Sequence, residues 1–261
     1  MVVWTVANQK GGVGKTTTSI AIAGVLAEQG KKVLLVDTDP HASLSYYFGI
    51  ESEDLDLSVY ELFTQVSSKE QILQTLCPTS YPNIDILPAT MALATLDRSL
   101  GTKGGMGLVL KKALQKVADS YDYVLMDCPP VLGVLMVNAL AAADRIIIPV
   151  QTEFLALKGL DRMVKTMEIM QGEQEQPFQY IIVPTMFDKR TKASILAFKK
   201  LQEVYVNKIW PGVVPIDTNL RNASNARKVP SDFAPNSRGT LAYKSLLNYL
   251  LKQNQQRNKA D

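Results

Sequence analysis

The sequence predicts an α/β fold in which a mostly parallel central sheet carries helices on both faces. Short apolar runs rich in β-branched residues alternate with longer helical segments, and this alternation is typical of βαβ units. A glycine-rich segment also follows the first apolar run and leads directly into a helical pattern. The candidate strands lie at residues 2–6, 33–36, 84–87, 123–126, 145–150, 180–184 and 209–214.

The predicted helices separate these strands. One begins after Gly14, and the others occupy residues 107–120, 133–142, 155–170, 194–205 and 240–253. The chain has 261 residues, of which 46% are hydrophobic and 20% charged, so it is long enough for a full core. We therefore expect one domain over residues 1–261, with a polar tail at residues 252–261 that frays.

Composition argues against several classes of protein. No window reaches eighteen consecutive apolar residues, so we expect no transmembrane helix. The first predicted strand begins at residue 2, so we expect no signal peptide. The two cysteines, Cys77 and Cys128, are too few for a disulfide framework and predict a reducing, cytoplasmic location with ordinary packing. The single histidine, His41, makes no metal site.

The segment from residue 9 to residue 18, Gln-Lys-Gly-Gly-Val-Gly-Lys-Thr-Thr-Thr, predicts a phosphate-binding loop. Its spacing is G-x-x-x-x-G-K-[ST], with Gln9 in the first glycine position. Between a strand and a helix, the backbone N–H groups of such a loop converge on a polyphosphate, and the helix N-terminus adds a favourable dipole. A glycine-rich turn without function is the alternative, but Gly-Lys-Thr-Thr after a strand argues strongly against it.

The side chains at the end of this loop have distinct predicted roles. Lys15 reaches the β- and γ-phosphates, the Thr16 hydroxyl ligates Mg²⁺, and Thr17 bonds the α-phosphate. These roles narrow the fold class to a three-layer P-loop NTPase. The residues of this loop that we predict to bind nucleotide are Lys10, Gly11, Gly12, Val13, Gly14, Lys15, Thr16 and Thr17.

Lys10 makes the pattern more specific. Residues 10–17, Lys-Gly-Gly-Val-Gly-Lys-Thr-Thr, resemble the deviant Walker A motif of the ParA/MinD family. The resemblance implies ATP and Mg²⁺ as ligands and a homodimer that forms with ATP, in which Lys10 reaches the partner's nucleotide. Such a lysine acts with Lys15 as a catalytic cation on the transferring phosphoryl group. The alternative is a solvated lysine at the edge of the loop.

Two further segments resemble the switch regions of this family. Residues 30–40 end in Asp-Thr-Asp-Pro, and their likeness to switch I implies that Asp39 orients the attacking water and supports the metal site. Asp37 is either another supporting carboxylate or a purely structural one. Residues 121–130 resemble switch II, which assigns Asp127 to the Mg²⁺ site through a water molecule.

The adenine contacts are implied by resemblance alone. Thr185-Met186 and Pro215-Ile216-Asp217 resemble the segments that hold adenine in this family. Backbone groups there would read the edge of the base. The residues assigned to adenine are therefore Met186, Pro215 and Asp217.

Positive charge is concentrated in one region of the chain. Residues 189–228 contain nine Lys and Arg against two acidic residues, a net charge of +7 in a chain whose total is +3. This region is a candidate face for nonspecific DNA, with Arg190, Lys192, Arg221 and Arg227 as contacts, and a solvated helix face is the alternative. Chromosome-partitioning relatives carry two arginines just after the position of Pro215, and this chain lacks them.

The leucines near the carboxyl terminus predict core packing rather than membrane insertion. MinD-like relatives end in a basic amphipathic helix that binds membranes, whereas these leucines precede a tail without bulky apolar residues. The leucines are Leu241, Leu246, Leu247, Leu250 and Leu251.

The resemblance as a whole implies a ParA-type ATPase switch whose slow hydrolysis of ATP is stimulated by a partner. Residues 3–10, 39–44 and 58–63 resemble orphan ParA proteins, called ParC, that place bacterial chemotaxis arrays at cell poles. The implied partner is a ParP-like or ParB-like adaptor. A polar anchor protein or the nucleoid would then concentrate the protein within the cytoplasm.

Two alternatives stay open. Plasmid or chromosome partitioning fits the same motifs, and so does a nonhydrolytic, ATP-dependent scaffold in which slow turnover is incidental. An iron–sulfur reductase of the nitrogenase-reductase type is excluded, because it needs two suitably placed cysteines and only Cys128 lies near the nucleotide motifs.

Overall fold

In the computed structural model, which describes residues 1–65, 68–96, 106–172 and 177–257, seven strands form one sheet. In chain order these strands are β1 Val2–Val6, β2 Val33–Asp37, β3 Cys77–Pro78, β4 Ile84–Leu87, β5 Tyr123–Asp127, β6 Arg145–Gln151 and β7 Tyr180–Thr185. Their spatial order is β3-β4-β2-β5-β1-β6-β7, and all neighbours are parallel except β3 and β4. The predicted mostly parallel sheet is confirmed.

The register of the sheet brings the ends of three strands together. Val6 of β1 pairs with Asp127 of β5, and Asp127 pairs on its other side with Asp37 of β2. Because parallel strands end at the same edge, the loops that follow β1, β2 and β5 meet there. Ligands of open α/β sheets bind in the crevice at this edge, where the strand order reverses.

The helices connect the strands and are numbered here in chain order. They are α1 Lys15–Glu28, α2 Ser43–Tyr47, α3 Val59–Thr64, α4 Lys69–Gln74, α5 Val109–Lys116, α6 Val134–Ala142, α7 Phe154–Gln171, α8 Lys192–Val204, α9 Thr218–Asn225, α10 Pro230–Phe233 and α11 Arg238–Arg257. Short 3₁₀ turns lie at Ser52–Asp54, Met91–Thr95 and Met106–Leu108.

Helices cover both faces of the sheet, as a three-layer fold requires. Along β1, Trp4 and Val6 pack with α1, α2 and α11 on one face. Val3 packs with α5, α6 and α7 on the other face. On that face the buried Thr5 hydroxyl donates to the carbonyl of Ala139 in α6 at 2.8 Å, so the polar group in this buried strand is satisfied.

One predicted strand is absent. Residues 209–214 form only an isolated bridge between Ile209 and Ile182 instead of a continuous ladder. Trp210 N–H donates to the Ile182 carbonyl at 2.9 Å and Val214 N–H to the Pro184 carbonyl at 2.8 Å, but Pro184 has no N–H to return. Gly212, between these donors, turns so tightly over Trp210 that a Cβ would collide with the indole ring. The remaining strand is the two-residue antiparallel β3, which is too short for a pattern to predict.

Helix boundaries depart from the prediction in several places. The helix predicted at residues 107–120 is confined to α5, whereas α11 continues to Arg257, into the segment that we expected to fray. Residues 258–261 lie outside the described part of the chain. The sequence does not predict the short helices α2, α3, α4, α9 and α10. Of these, α3, α4 and α9 begin at a side-chain N-cap, whereas α2 and α10 have none. For example, Ser58 and Glu61 form a capping box on α3.

The leucines of α11 mostly pack in the core. Leu246, Leu247 and Leu250 are fully buried, which confirms the predicted packing, while Leu241 is half exposed. Cys77 and Cys128 are both free thiols. Among the described residues, no helix is both long enough and apolar enough to cross a membrane.

Candidate functional site

The loop between β1 and α1 forms a cradle at the carboxyl edge of the sheet. Gly12 and Gly14 adopt left-handed backbone conformations with φ of 72° and 91°, and a Cβ on either would meet no atom within 4 Å. Glycine is therefore required here for backbone conformation rather than for space. The N-terminus of α1 has no side-chain cap, so its first N–H groups are available to an anion.

Asn8, which the sequence motif does not mark, holds this loop in place. Its buried side chain donates to the Pro149 carbonyl at 2.8 Å and accepts from the Lys10 N–H at 2.9 Å. Gln9, in the position where the motif has glycine, donates to the Thr166 hydroxyl of α7 at 3.1 Å. The cradle is thus fastened both to β6 and to α7.

Lys15 lies at the start of α1 and is 8% exposed. Its Nζ donates to the Lys10 carbonyl oxygen at 3.2 Å. Burial lowers the pKa of Lys15, while electrostatic interactions with Asp127, Cys128 and Asp39 oppose that change. A phosphate group beside Nζ would stabilise the charged ammonium in this partly desolvated position.

Thr16 and Asp127 meet directly at the floor of the cradle. The Thr16 hydroxyl donates to Asp127 Oδ2 at 2.5 Å, whereas the buried Oδ1 of Asp127 has no hydrogen-bond partner. A hydroxyl and a carboxylate with an unsatisfied oxygen are the donors that Mg²⁺ prefers. These residues therefore fit the predicted metal and would hold it beside the phosphates.

Asp127 also has a perturbed ionisation. Burial, with a smaller contribution from the negative charge of Asp37, raises the pKa of Asp127 to about 8. A group whose pKa is raised in the folded state contributes stability below its unfolded pKa of 3.8, and that contribution is lost as pH rises through the folded value. Without metal, ionisation of Asp127 should therefore destabilise the fold between about pH 4 and pH 8.

We expect Asp127→Asn to stabilise the metal-free protein at pH 8, by roughly 2–4 kcal/mol relative to the wild type, and much less at pH 5. Urea unfolding in EDTA at the two pH values measures this difference. Asp56→Asn, at an exposed carboxylate, is the matched control and should show no such pH dependence. Equal effects of Asp127→Asn on stability at both pH values would contradict the raised pKa of Asp127.

Asp37 and Asp39 differ in their surroundings. Asp37 is fully buried and accepts hydrogen bonds from the Ser45 N–H at 2.9 Å, the Ser45 hydroxyl at 2.8 Å and the Asp39 N–H at 3.1 Å. It therefore ties α2 to the end of β2, and burial raises its pKa to about 6. The Asp39 side chain is 15% exposed and accepts from the His41 N–H and from His41 Nδ1, at 3.0 and 2.9 Å.

Lys10 does not lie free at the edge of the loop. Its Nζ forms an ion pair with Glu153 and lies 3.4 Å from Gln151 Oε1. Both partners belong to the junction of β6 and α7, 141 and 143 residues away in sequence. The motif marks neither of them, because no local spacing links such distant positions.

A cavity of about 440 Å³ opens beside the cradle and is large enough for a nucleoside. Met186 in its wall has a left-handed backbone with φ of 51°. The Asp217 carboxylate is already occupied, because it accepts from Asn219 N at 2.9 Å and from Gly239 N at 2.8 Å. The Asp217 side chain thus bonds the first turns of α9 and α11, and the contact predicted for adenine is with the backbone of this segment. Lining residues are Val13, Gly14, Thr17, Gln151, Thr185, Met186, Val214, Pro215, Ile216, Asp217, Leu220, Arg221, Ser224 and Tyr243.

The four residues predicted to contact DNA lie in different surroundings. Arg190 is highly exposed and paired with Asp188 at 2.8 Å, and Lys192 begins α8. Arg221 lines the cavity beside the cradle. Arg227 packs over Gly49 and lies 3.6 Å from Glu51. Arg190 and Lys192 are therefore the members of this set that neither line the cavity beside the cradle nor pack over Gly49. Arg190 does line a second cavity of about 740 Å³, with Pro215 and Arg238.

Comparison with known proteins identifies relatives along nearly the whole chain. Residues 1–180 match a family model described as an AAA domain. The sporulation initiation inhibitor protein Soj of Bacillus subtilis is 36% identical over 242 residues, which are 92% of this chain and 94% of Soj. The chromosome partitioning protein ParA of Caulobacter vibrioides is 32% identical over 255 residues, 97% of this chain and 94% of that protein.

A solved structure is similar to this chain over nearly its whole length, as these relatives are. Cobyrinic acid a,c-diamide synthase from Mycobacterium smegmatis, with bound ATP analogue and magnesium, is 32% identical and superposes with a TM-score of 0.83. The match covers 97% of this chain and 95% of that one.

Proposed function

The chain belongs to the ParA/Soj family of partitioning ATPases, and from this we propose that it is a switch that closes into a homodimer with ATP and reopens on hydrolysis. The observation that carries the proposal is the cradle: left-handed Gly12 and Gly14, an uncapped α1, buried Lys15, and Thr16 against Asp127. Together these groups bind a polyphosphate and its metal.

In this proposal ATP lies with its phosphates on the loop and its adenosine in the neighbouring cavity. Lys15 and the N–H groups of α1 bind the phosphate oxygens. Mg²⁺, when bound by Thr16 and, through water, by Asp127, would neutralise charge on those oxygens. Asp39 stands at the same edge of the sheet and orients the attacking water.

The surface around Lys10 supports a homodimer. Four large apolar side chains are exposed on either side of the β1 loop: Val131 and Leu132 in the loop after β5, and Phe154 and Leu155 in the first turn of α7, at 63%, 44%, 68% and 67%. Exposed apolar groups around a functional cation are typical of an interface. A second copy that covers them would bring each Lys10 towards the other nucleotide.

Light scattering with wild-type protein tests this switch. With ATP and Mg²⁺ the mass should approach that of a dimer, and with ADP it should return to that of a monomer. A monomer under both conditions, with ATP bound, would contradict the proposal.

The cargo that we propose is a chemotaxis array at a cell pole, with the protein acting in the cytoplasm and concentrated by a polar anchor or the nucleoid. Slow phosphate release should then accelerate at least tenfold with a purified ParP-like adaptor. The same acceleration by a ParB-like adaptor would instead favour plasmid or chromosome partitioning. No acceleration by either adaptor would favour the nonhydrolytic scaffold.

Nonspecific DNA is the proposed surface on which the dimer travels, and Arg190 and Lys192 are its clearest candidates. We expect the double variant Arg190→Glu/Lys192→Glu to weaken retention of the ATP-bound form on duplex DNA. The slope of log affinity against log salt should shrink by about 0.9 for each DNA phosphate that the variant no longer neutralises.

The matched control is Lys111→Glu/Lys112→Glu on α5, which changes charge equally outside the basic region. ATP affinity should stay unchanged in both double variants. If the wild-type protein with ATP does not bind DNA even at low salt, the proposed DNA binding is wrong. The absence of two arginines after Pro215 would then account for that result. A polar protein would then have to anchor the switch.

A further inference from the structure

We propose that Glu153 is a brake on this switch: it holds Lys10 within its own protomer, and the ion pair must open before Lys10 can act on a partner. The inference rests on the proposed dimer. It starts from the contact between Lys10 Nζ and the Glu153 carboxylate, with Gln151 Oε1 3.4 Å from the same nitrogen. A single ammonium cannot keep these contacts and also reach a nucleotide across an interface.

The position of Glu153 is fixed by its neighbour. Thr152 is buried, its N–H donates to the Thr185 carbonyl at 3.0 Å, and its hydroxyl lies 2.6 Å from the Ser194 hydroxyl. Glu153 is the N-cap residue of α7, yet its side chain makes no capping hydrogen bond. The backbone beside Glu153 is thus anchored through Thr152, and the Glu153 carboxylate is not used by its own helix.

Helix α7 also accommodates the stem of Lys10. A Cβ built on Gly159 would lie 4.0 Å from Lys10 Cβ, so the lysine passes close to the second turn of the helix. The Lys10 backbone is held separately, through its N–H to Asn8 and its carbonyl to Lys15. Breaking the ion pair would therefore free the side chain without moving the cradle.

The segment that carries the brake also carries part of the exposed apolar surface. Phe154 and Leu155 follow Glu153 directly. A second copy that covers them would reach the ion pair in the same step and desolvate it, which penalises the paired charges unless each finds a new partner. The nucleotide phosphates of the second copy are such a partner for Lys10.

The expected effect is moderate, because the two side chains are 33% and 41% exposed. Removing an exposed ion pair changes the equilibrium constant of the step that must break it by roughly two- to fivefold. Both protomers must release their lysines, so Glu153→Gln should lower the dissociation constant of the dimer by roughly four- to 25-fold. Sedimentation velocity with Mg²⁺ and a slowly hydrolysed ATP analogue measures that constant.

A matched control exists elsewhere in the chain. Glu28 pairs with Lys244 at 3.5 Å, and those two side chains have the same exposures, 41% and 33%. Glu28→Gln should leave the dimer constant unchanged. In a Lys10→Ala background, Glu153→Gln should not restore the dimer, because the lysine that Glu153 restrains is gone.

Acetylation of the nucleotide-free proteins, followed by mass spectrometry, provides a readout that needs no dimer. Glu153→Gln should increase labelling of Lys10 but not of Lys244, and Glu28→Gln should do the reverse. Lys10 labelling that is equal in the wild type and in Glu153→Gln would overturn the brake, whatever the dimer does.

The two proposals fail in different ways. If the wild type dimerises and Glu153→Gln dimerises no more readily, or less readily, the brake is wrong and the switch stands. If neither protein dimerises with the ATP analogue, the proposed switch is wrong and the brake falls with it.

Discussion

Lys15→Ala should lose at least about 100-fold in affinity for ATP. The side chain is buried at the start of α1, next to Thr16 and within the influence of Asp127. Charge-assisted hydrogen bonds to phosphate contribute about 1.5–3 kcal/mol each, and losing more than one of them accounts for a factor of this size. Isothermal titration calorimetry with Mg²⁺ and a slowly hydrolysed ATP analogue measures the loss.

The control for Lys15→Ala is Lys32→Ala, which removes an exposed lysine beyond the far end of α1. It should bind ATP like the wild type. Circular dichroism should show both variants folded, since Lys15 bonds only to a loop carbonyl and supports no core contact. Affinity of Lys15→Ala within about threefold of the wild type would contradict the cradle assignment.

Asp39→Ala and Lys10→Ala should separate hydrolysis from dimerisation. Asp39 lies at the edge where β2 ends, so its loss should leave ATP binding and the dimer intact. Hydrolysis should fall by about 100-fold or more, since a group that positions or deprotonates a nucleophile typically contributes roughly 10²–10⁴ in rate. Lys10→Ala should bind ATP with nearly wild-type affinity and remain a monomer.

Size-exclusion chromatography with ATP, together with a phosphate-release assay, tests the pair. Asp39→Asn serves as a conservative control, because it keeps the size of the side chain and removes only the charge. A Lys10→Ala dimer as stable as the wild type would exclude the action of Lys10 across the interface. Rapid hydrolysis by Asp39→Ala would remove Asp39 from its assigned role.

Local pattern was enough for six of the seven strands and for the phosphate-loop motif. The strands Val2–Val6 and Ile84–Leu87 are predicted to the residue, because buried parallel strands appear as apolar runs bounded by turns. The phosphate loop is equally predictable, because its glycines, Lys15 and Thr16 are close in sequence. The likeness to a known family added Asp39 and Asp127, and the register of β2 and β5 brings the ends of their strands to the same edge.

The distant groups that complete the site follow from tertiary packing instead. Residues 209–214 look like a strand, but Pro184 of β7 has no N–H to continue the ladder and Gly212 turns tightly over Trp210, so a loop results. The Asp217 carboxylate bonds the first turns of α9 and α11, a structural role that the sequence does not predict, while its predicted backbone contact with adenine stays a prediction. Glu153 lies 143 residues from Lys10 along the chain, so no local spacing could pair them. A sequence pattern reflects the hydrogen bonding and burial of residues that are close together in the chain. The contacts named above form only when separate elements pack together, so no such pattern predicts them.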